Sequence, residues 1–442
     1  MNRTDNEKLI VNVFRDLSLD QLKKKTAGHF RVAGWVKTLR KLGAITFVVI
    51  YDFFGEIQLV FSRKTLPSIS ISLEDLLVVD GKVKAKLPSL TSKVKKENEE
   101  KEISVTKVIY HFPSQKELLR YKEQLVEADK YTDYLAYLCR RELKETLIFK
   151  SKLIHLWRNH LIKKGFIDIE TPILTRVSPE GAENFLAFGK QGVNKFFALS
   201  QSPQIFKQLL MTARFDRYFQ FAKCFRNEPL RSDRQPEFIQ LDLELSFATI
   251  NQVIDLIETM LFESLIQMDF SAAEISFDRC SFIEFESKQE SQKNSLKSLK
   301  FLWVVGLPLF KIEKSTGKLV SFHHPFVKAA EKKLSNLTSS SFGQSFDLYL
   351  NGVEIASGSE RIYRLTEQLK VFELLGYSSA EIKKDFAYFF AAFSYAMPPH
   401  AGIGFGVDRF VAQVLKKKTF VMLLLFRKIL KGDVIWLQHL LK

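Results

Sequence analysis

The residues with the most chemistry in this sequence flank a basic loop. Arg217 to Arg226 reads Arg-Tyr-Phe-Gln-Phe-Ala-Lys-Cys-Phe-Arg, and Phe238 to Phe247 reads Phe-Ile-Gln-Leu-Asp-Leu-Glu-Leu-Ser-Phe. Successive strand side chains alternate faces, so Ile239, Leu241, Leu243 and Leu245 point one way and Phe238, Gln240, Asp242, Glu244 and Ser246 the other. Such a strand covers a core while presenting acids and amides to a cleft. The intervening segment carries Glu228, Arg231, Asp233, Arg234, Gln235 and Glu237. A hairpin with arginines at its base and tip suits a polyphosphate, because guanidinium offers bidentate donors to phosphate oxygens. The same pattern also fits an ordinary solvated hairpin laced with surface ion pairs.

Several elements must position these groups. Asp20 to His111 reads as short strands with turn signals: His29–Trp35, Ile45–Phe53, Ile57–Phe61, Leu77–Leu87 and Glu102–Tyr110. That number of strands suits a small closed barrel of the OB type, although any small β-barrel shares the pattern. Residues 113–145 are charged and read as a linker. From Leu147 the spacing of Leu153, Trp157 and Leu161 predicts a helix that Gly165 ends, and Phe166–Leu174 then alternates as a strand. Ser202-Pro203 reads as a helix start, hydroxyl N-cap then proline, which places Gln204, Lys207 and Gln208 on one helical face.

Bulk properties narrow the function classes. The 442 residues carry 66 Lys and Arg against 50 Asp and Glu, a formal net charge of +16, which suits a polyanionic partner such as nucleic acid or a membrane surface. The longest apolar runs, such as Phe420 to Phe426, are too short to span a bilayer, and no secretory signal is visible at Met1–Leu9. The 3 cysteines, Cys139, Cys224 and Cys280, show no metal-ligand spacing and no disulfide framework. A reduced, cytoplasmic setting is expected.

Phe225-Arg226-Asn227-Glu228 followed by Leu230 to Phe238 resembles motif 2 of the class II aminoacyl-tRNA synthetases, in the form carried by bacterial aspartyl enzymes. Gly165–Pro172 resembles motif 1, and Gly402-Ile403-Gly404-Phe405-Gly406-Val407-Asp408-Arg409 resembles motif 3. Ser178–Ala182, Gln201–Gln208, Asn351–Glu354 and Gly358–Arg361 extend the resemblance, which runs in the family's order over residues 30–410. It implies an α+β protein: an N-terminal OB-fold β-barrel (1–112) that binds the anticodon, a linker (113–145), and a class II catalytic domain (146–442) built on an antiparallel β-sheet flanked by helices. The implied activity is that of an aspartate–tRNA ligase. Aspartate would be activated with ATP and Mg²⁺ to aspartyl-adenylate and passed to the 3′ end of tRNA(Asp), by a homodimer paired through motif 1.

The resemblance also implies roles for individual residues. Lys207 and Arg361 would hold the side-chain carboxylate of aspartate and reject asparagine, whose neutral amide leaves buried cations uncompensated. Gln204, Asp242, Ser202 and Glu180 would complete that pocket. Arg226 would meet the α-phosphate, where charge develops during attack. Glu228 and Gln235 would lie at the ATP site, with Phe238 beneath adenine and Arg409 covering its other face. The glycines at 402, 404 and 406 would let a flat base approach the backbone. Asp347 and Glu354 would hold Mg²⁺, and His324 would lie near the phosphates. The catalytic set is then Arg226, Glu354 and Arg409. On the barrel, Arg40, Phe47 and Gln58 would read the anticodon by stacking and edge contacts.

The chain also departs from the pattern. The insertion domain of the bacterial enzymes is missing between about 270 and 300, and the segment after Trp436 does not match. Asn227 replaces the acid usual in motif 2, and Ala356-Ser357 replaces a glycine pair. The alternative is a catalytically inactive paralogue that binds tRNA or another RNA. Intact Arg226, Glu354, Arg361 and Arg409 argue against it. An asparaginyl or lysyl relative is disfavoured by Lys207 and the Asp233-Arg234-Gln235-Pro236 loop.

Overall fold

The computed structural model describes residues 14–65, 70–85, 101–114, 141–177, 183–189, 196–228, 234–287, 298–314, 316–331 and 333–416. The chain divides into two compact units, Met1–Ala136 and Tyr137–Lys442. Among the described residues no helix is long and apolar enough to cross a membrane.

In the first unit, α1 (Leu19–Lys23) precedes β1 (His29–Leu42), β2 (Ile45–Tyr51), β3 (Glu56–Ser62), β4 (Leu76–Ala85) and β5 (Lys101–Phe112). They close into a barrel in the order β1-β2-β3-β5-β4. β1 runs well past Trp35, where the sequence pattern ends. A bulge between Val36 and Thr38 bends it, so its first half pairs with β4 and its second with β2. Alternation buries Val32, Val36, Val48, Ile50, Leu59 and Ile103 inside, with Leu19 and Leu22 of α1 packed into the same core.

The second unit is built on an eight-stranded sheet. Its strands are β6 (Ile167–Asp168), β7 (Arg217–Phe225), β8 (Glu237–Ser246), β9 (Ile275–Ser281), β10 (Leu299–Val305), β11 (Ser345–Leu350), β12 (Val353–Glu360) and β13 (His400–Gly406). The order is β9-β10-β11-β12-β13-β8-β7-β6. The strands from β10 to β7 are antiparallel, as expected, but both edge pairs, β9 with β10 and β7 with β6, are parallel. The sheet is therefore mixed. Parallel neighbours need a crossover connection: the β9–β10 link passes through the helix Phe282–Ser287, and β6 is far from β7 in sequence.

The helix expected from Leu147 is α2 (Arg141–Lys163), which begins within the segment read as a linker. Gly165, at φ +80°, follows its end. The strand expected over Phe166–Leu174 is broken. Only Ile167–Asp168 joins the main sheet, while Leu174–Thr175 belongs to a three-stranded sheet with Phe196–Leu199 and Leu186–Phe188. Pro172 lies between them and cannot donate to a ladder. With α4 (Ile250–Gln267), α2 covers one face of the main sheet, burying Leu153, Trp157, Leu161, Ile254 and Ile257 against Leu241, Leu243, Ile403 and Phe405. Trp157 donates its indole N–H to Ser264 at 3.0 Å. That apolar layer leaves the opposite face of the same strands to carry the polar side chains. The helix α3 (Gln204–Thr212) borders that face, whereas α5 (Val407–Val414) packs into the apolar layer through Phe410 and Val411 and brings Arg409 to the edge of the polar face.

Candidate active site

Strand register lays the polar side chains out in rows. Gln220, Asp242, Gly404, Ser357 and Asp347 are cross-strand neighbours in sequence from β7 to β11, and Tyr218, Glu244, Gly402, Ser359 and Ser345 form the next row. The glycines are bare because side chains lie over them. A Cβ at Gly402 would stand 1.9 Å from Glu244 Oε2, and one at Gly404 would stand 1.9 Å from Gln240 Nε2. This corrects the expectation that all three glycines serve a flat base: Gly402 lies under Glu244, and only Gly404 and Gly406 line the cavity next to Arg409.

Two adjoining cavities occupy this face. The larger, about 630 Å³, is lined among others by Ser202, Gln204, Lys207, Asp242, His324 and Arg361. The smaller, about 250 Å³, is lined among others by Glu228, Gln235, Phe238, Gly406 and Arg409. Arg226, Glu228, Gln240, Glu354, Ser357 and Gly404 border both. The fold thus gathers most of the described catalytic-unit residues singled out from the sequence around the two cavities, with Arg226, Glu228 and Glu354 at the seam; Asp347 lines neither and lies beside Ser357 in the cross-strand row. Glu180 lies outside the described residues, as do Arg231 and Asp233.

The larger cavity ends in a buried charge network. Lys207, 1% exposed, holds Asp242 Oδ1 at 2.8 Å and Glu244 Oε2 at 3.1 Å. Arg361, 2% exposed, meets Glu244 through Nε at 2.9 Å and Nη2 at 3.3 Å, and donates from Nη1 to Ser359 Oγ at 2.7 Å. His324 Nε2 accepts from the same Nη1 at 2.6 Å. Burial and the adjacent guanidinium hold the His324 imidazole well below its usual pKa, so it stays neutral. The two cations are therefore already matched by two carboxylates, which revises the simple charge argument against a neutral amide. A substrate carboxylate must compete with Asp242 and Glu244 for Lys207 and Arg361.

Those acids are not equivalent. Burial alone would raise the Glu244 carboxyl, but Arg361 and Lys207 hold it down at about 2. For Asp242 burial prevails: its pKa is raised, with Lys207 opposing and Glu244 adding repulsion. Glu244 was not singled out from the sequence. Its place two residues beyond Asp242 on the polar face was readable, but its partner Arg361 is far along the chain. α3 also starts later than expected. Pro203 is its N-cap and makes no side-chain cap bond, although Ser202 Oγ accepts from Gln204 N at 3.4 Å.

The ion pairs at the smaller cavity are less buried. Arg226 stands 5.2 Å from the centre of the Phe238 ring, and Arg409 Nη1 donates to the Glu354 carbonyl at 2.8 Å. Arg234 pairs with Glu228 at 2.9 Å. Burial and the neighbouring Asp347 push the Glu354 carboxyl up, with Arg409 opposing. Asp347 is 3% exposed, and its Oδ1 has no hydrogen-bond partner. Two hard oxygen donors, one without a hydrogen-bond partner and the other shifted upward by burial and by its acidic neighbour, would be relieved by a magnesium ion that takes its remaining ligands from phosphate and water. Among the described residues no cluster of three or more His, Cys, Asp or Glu makes a self-sufficient metal cage.

On the barrel, Arg40 and Phe47 are cross-strand partners, with the guanidinium 5.4 Å from the ring centre. Phe47 is half-buried on the outer face and is absent from the core cluster. Gln58 donates to Glu102 Oε2 at 2.8 Å. Glu102 is a second acceptor beside this surface that sequence reasoning did not single out.

Comparison with known proteins agrees with this geometry. The chain matches the family model described as tRNA synthetases class II (D, K and N) over residues 126–429, and the model of the OB-fold nucleic acid binding domain over 30–109. It is 28% identical to an aspartate–tRNA ligase of Pseudothermotoga lettingae, over 91% of this chain and 92% of the relative. It is 26% identical to an aspartate–tRNA(Asp/Asn) ligase of Thermotoga maritima, over 90% and 92%. The first alignment runs over 539 positions against a chain of 442 residues, so the relative carries residues that this chain lacks. The crystal structure of asparaginyl-tRNA synthetase from Pyrococcus horikoshii, complexed with asparaginyl-adenylate, has the same fold. The TM-score is 0.74 at 20% identity, over 94% of this chain and 98% of that one.

Proposed function

The chain belongs to the class II tRNA synthetases of the D, K and N group, and we propose that it is an aspartate–tRNA ligase: it activates L-aspartate with ATP and transfers it to the 3′ end of tRNA(Asp). The observation that carries this reading is the pair Lys207 and Arg361, buried together at the end of a cavity whose mouth holds Arg226. Relatives named aspartate–tRNA ligases support it.

In the first step an oxygen of the aspartate α-carboxylate attacks the α-phosphorus, the bond to the bridging oxygen breaks, and pyrophosphate leaves. The nucleophile is already ionised, so no general base is required; orientation and neutralisation of growing charge supply the acceleration. Arg226, at the seam of both cavities, faces that charge. Phe238 and Arg409 lie where adenine would be held between a ring and a guanidinium. Glu228, Gln235 and His324 complete the ATP site. Lys207 and Arg361 receive the side-chain carboxylate, with Ser202, Gln204, Asp242 and Glu180 around the ammonium end. Asp347 and Glu354 would hold Mg²⁺, which supplies charge neutralisation to the phosphates. In the second step a ribose hydroxyl of the tRNA attacks the aspartyl carbonyl and AMP leaves.

Arg40, Phe47 and Gln58 are assigned to anticodon recognition by the barrel. A homodimer is supported by exposed apolar side chains beside the β6 edge of the sheet: Ile167, Leu174, Leu186, Phe188 and Phe196 are 46–80% exposed, a patch of the kind a second copy covers. The assigned domains are 1–112, 113–145 and 146–442, and the assigned compartment is the cytoplasm. Amino-acid-dependent exchange of pyrophosphate into ATP tests the reading. Exchange with aspartate but not asparagine, glutamate or lysine is expected. Silence with all four in a folded protein would sink it.

A further inference from the structure

The ladder between β8 and β13 stops at the pair Gln240 and Gly406, because β13 gives way to α5 at that point. The next residue of β8 toward its start, Ile239, therefore lies beyond the last β13 partner. Its N–H is given instead to Asp408 Oδ2, at 2.9 Å, so a side chain stands in for the missing strand. Asp408 is 3% exposed and lies in the first turn of α5, where a negative charge suits the helix dipole. Its other oxygen, Oδ1, pairs with Lys150 Nζ of α2. One buried carboxylate thus ties together α2, α5 and the start of β8.

The residues beside these bonds form the smaller cavity. The N–H that Asp408 receives belongs to the planar peptide joining Phe238 to Ile239, and Asp408 is itself joined to Arg409. Phe238, Ile239, Asp408 and Arg409 all line that cavity. We propose that Asp408 is a positioning residue that sets the gap between Phe238 and Arg409, and hence the affinity for the adenine ring held between them. The proposal rests on the reading of the smaller cavity as the adenine site. Without the carboxylate, the start of β8 and the first turn of α5 lose their direct bond. The slot must then be ordered when the base enters, which costs affinity. The effect belongs on ATP rather than on aspartate, because neither Phe238 nor Asp408 nor Arg409 lines the larger cavity.

The test uses the full chain, with Asp408→Ala, Asp408→Asn and Lys150→Met. Alanine removes both bonds. Asparagine keeps an oxygen for Ile239: Lys150 can swing away on its flexible stem, whereas a strand N–H cannot, so the amide oxygen goes to the backbone. Lys150→Met removes the ion pair alone. Calorimetric titration with magnesium-ATP should give a Kd about three- to tenfold higher in the alanine variant, the range one hydrogen bond supports. The other two variants should keep the wild-type Kd although both melt at lower temperature. In pyrophosphate exchange KM for ATP should follow the same order, while KM for aspartate holds in all three. That split separates positioning from general damage, since a loosened unit would move both constants. An unchanged ATP affinity in the alanine variant overturns the proposal. So does a loss of that size in the asparagine or methionine variant, and those two decide even where the alanine variant does not fold. A wild type that binds ATP but exchanges with no amino acid would defeat only the aspartate–tRNA ligase reading, whereas one that binds no ATP would overturn both.

Discussion

The two ends of the cleft are built on opposite plans. At the end proposed to receive the amino acid, Lys207, Asp242, Glu244 and Arg361 are all nearly fully buried and linked in one ion-pair network. At the end proposed for the nucleotide the ionic contacts are looser: Arg409 and Glu354 stand 4.0 Å apart with side chains 29% and 47% exposed, and the Arg234–Glu228 pair is 42% and 30% exposed. The difference follows from what each end must recognise. Telling a carboxylate from an amide requires charges fixed in a low dielectric, where an unpaired group is costly. A triphosphate brings its own charge and metal, so its site needs reach and donors rather than a sealed network.

The comparison is broken most severely by removing Arg361. Arg361→Gln leaves Glu244 and the Lys207 network short of a cation, and losing one partner of a buried pair costs about 3–5 kcal/mol. Thermal unfolding of the catalytic unit should shift sharply downward, and aspartate-dependent exchange should vanish. A variant that kept wild-type stability would show that the network is solvated rather than sealed.

Arg226→Ala probes the seam between the two ends. Arg226 lies at the seam and stands over a ring rather than in an ion network, so stability should change by less than about 1 kcal/mol. The exchange rate should nevertheless fall by about 10²–10³-fold, as when one donor to a developing charge is removed. The contrast with Arg361 is the point: one arginine supports both structure and specificity, the other only the reaction. Equal losses of stability in both variants would erase the distinction.

The barrel face sharpens the contrast further, because the recognition proposed for it rests on a cation beside a ring rather than on a buried charge network. Phe47→Leu keeps an apolar side chain but removes the ring under Arg40. Loss of one base-stacking aromatic, about 1–3 kcal/mol, should raise KM for tRNA in aminoacylation by about five- to a hundredfold. Pyrophosphate exchange, which needs no tRNA, should not change. An equal effect on both reactions would count against an anticodon role for this face.

What could be read from the sequence follows the same division. Alternation on β8 gave both its core face and its polar face, since Leu241 and Leu243 are buried while Gln240 and Asp242 line the cavity. Local periodicity suffices there because each residue's environment is set by its own strand. It did not give the Glu244–Arg361 pairing, which depends on β8 and β12 being separated by β13 alone. Nor did it give the reason for Gly402, which answers to a side chain on another strand. The strand expected over Phe166–Leu174 failed because alternation says nothing of which sheet a residue joins. Lys207 was legible as a cation on a helical face but not as already paired, since both its partners come from β8.

The smallest effect is the most discriminating, because Asp242 and Glu244 sit on one strand against one lysine yet shift in opposite directions. Glu244, ordinarily near 4.5 and held at about 2, stabilises the fold above its unfolded value and loses that contribution as the pH falls from 4.5 toward 2. Asp242 has the opposite sign. Its folded pKa is raised above 3.8, so its charged form costs stability at neutral pH, and that cost disappears as the pH falls through the raised value. Asn mimics the protonated acid in size and charge, and Lys207 has a second partner in Glu244, at 3.1 Å. Asp242→Asn should therefore be slightly more stable than wild type at pH 7–8, by on the order of 1 °C in Tm for a chain of this length. The two melting curves should converge as the pH drops through the range where wild-type Asp242 takes up its proton. The same substitution removes one competitor for Lys207 and should strengthen the preference for aspartate over asparagine, whereas loss of Lys207 itself should weaken it. A stability difference that stayed constant with pH would mean that Asp242 is not the strained member of the network, and that the lysine is shared evenly between the two acids.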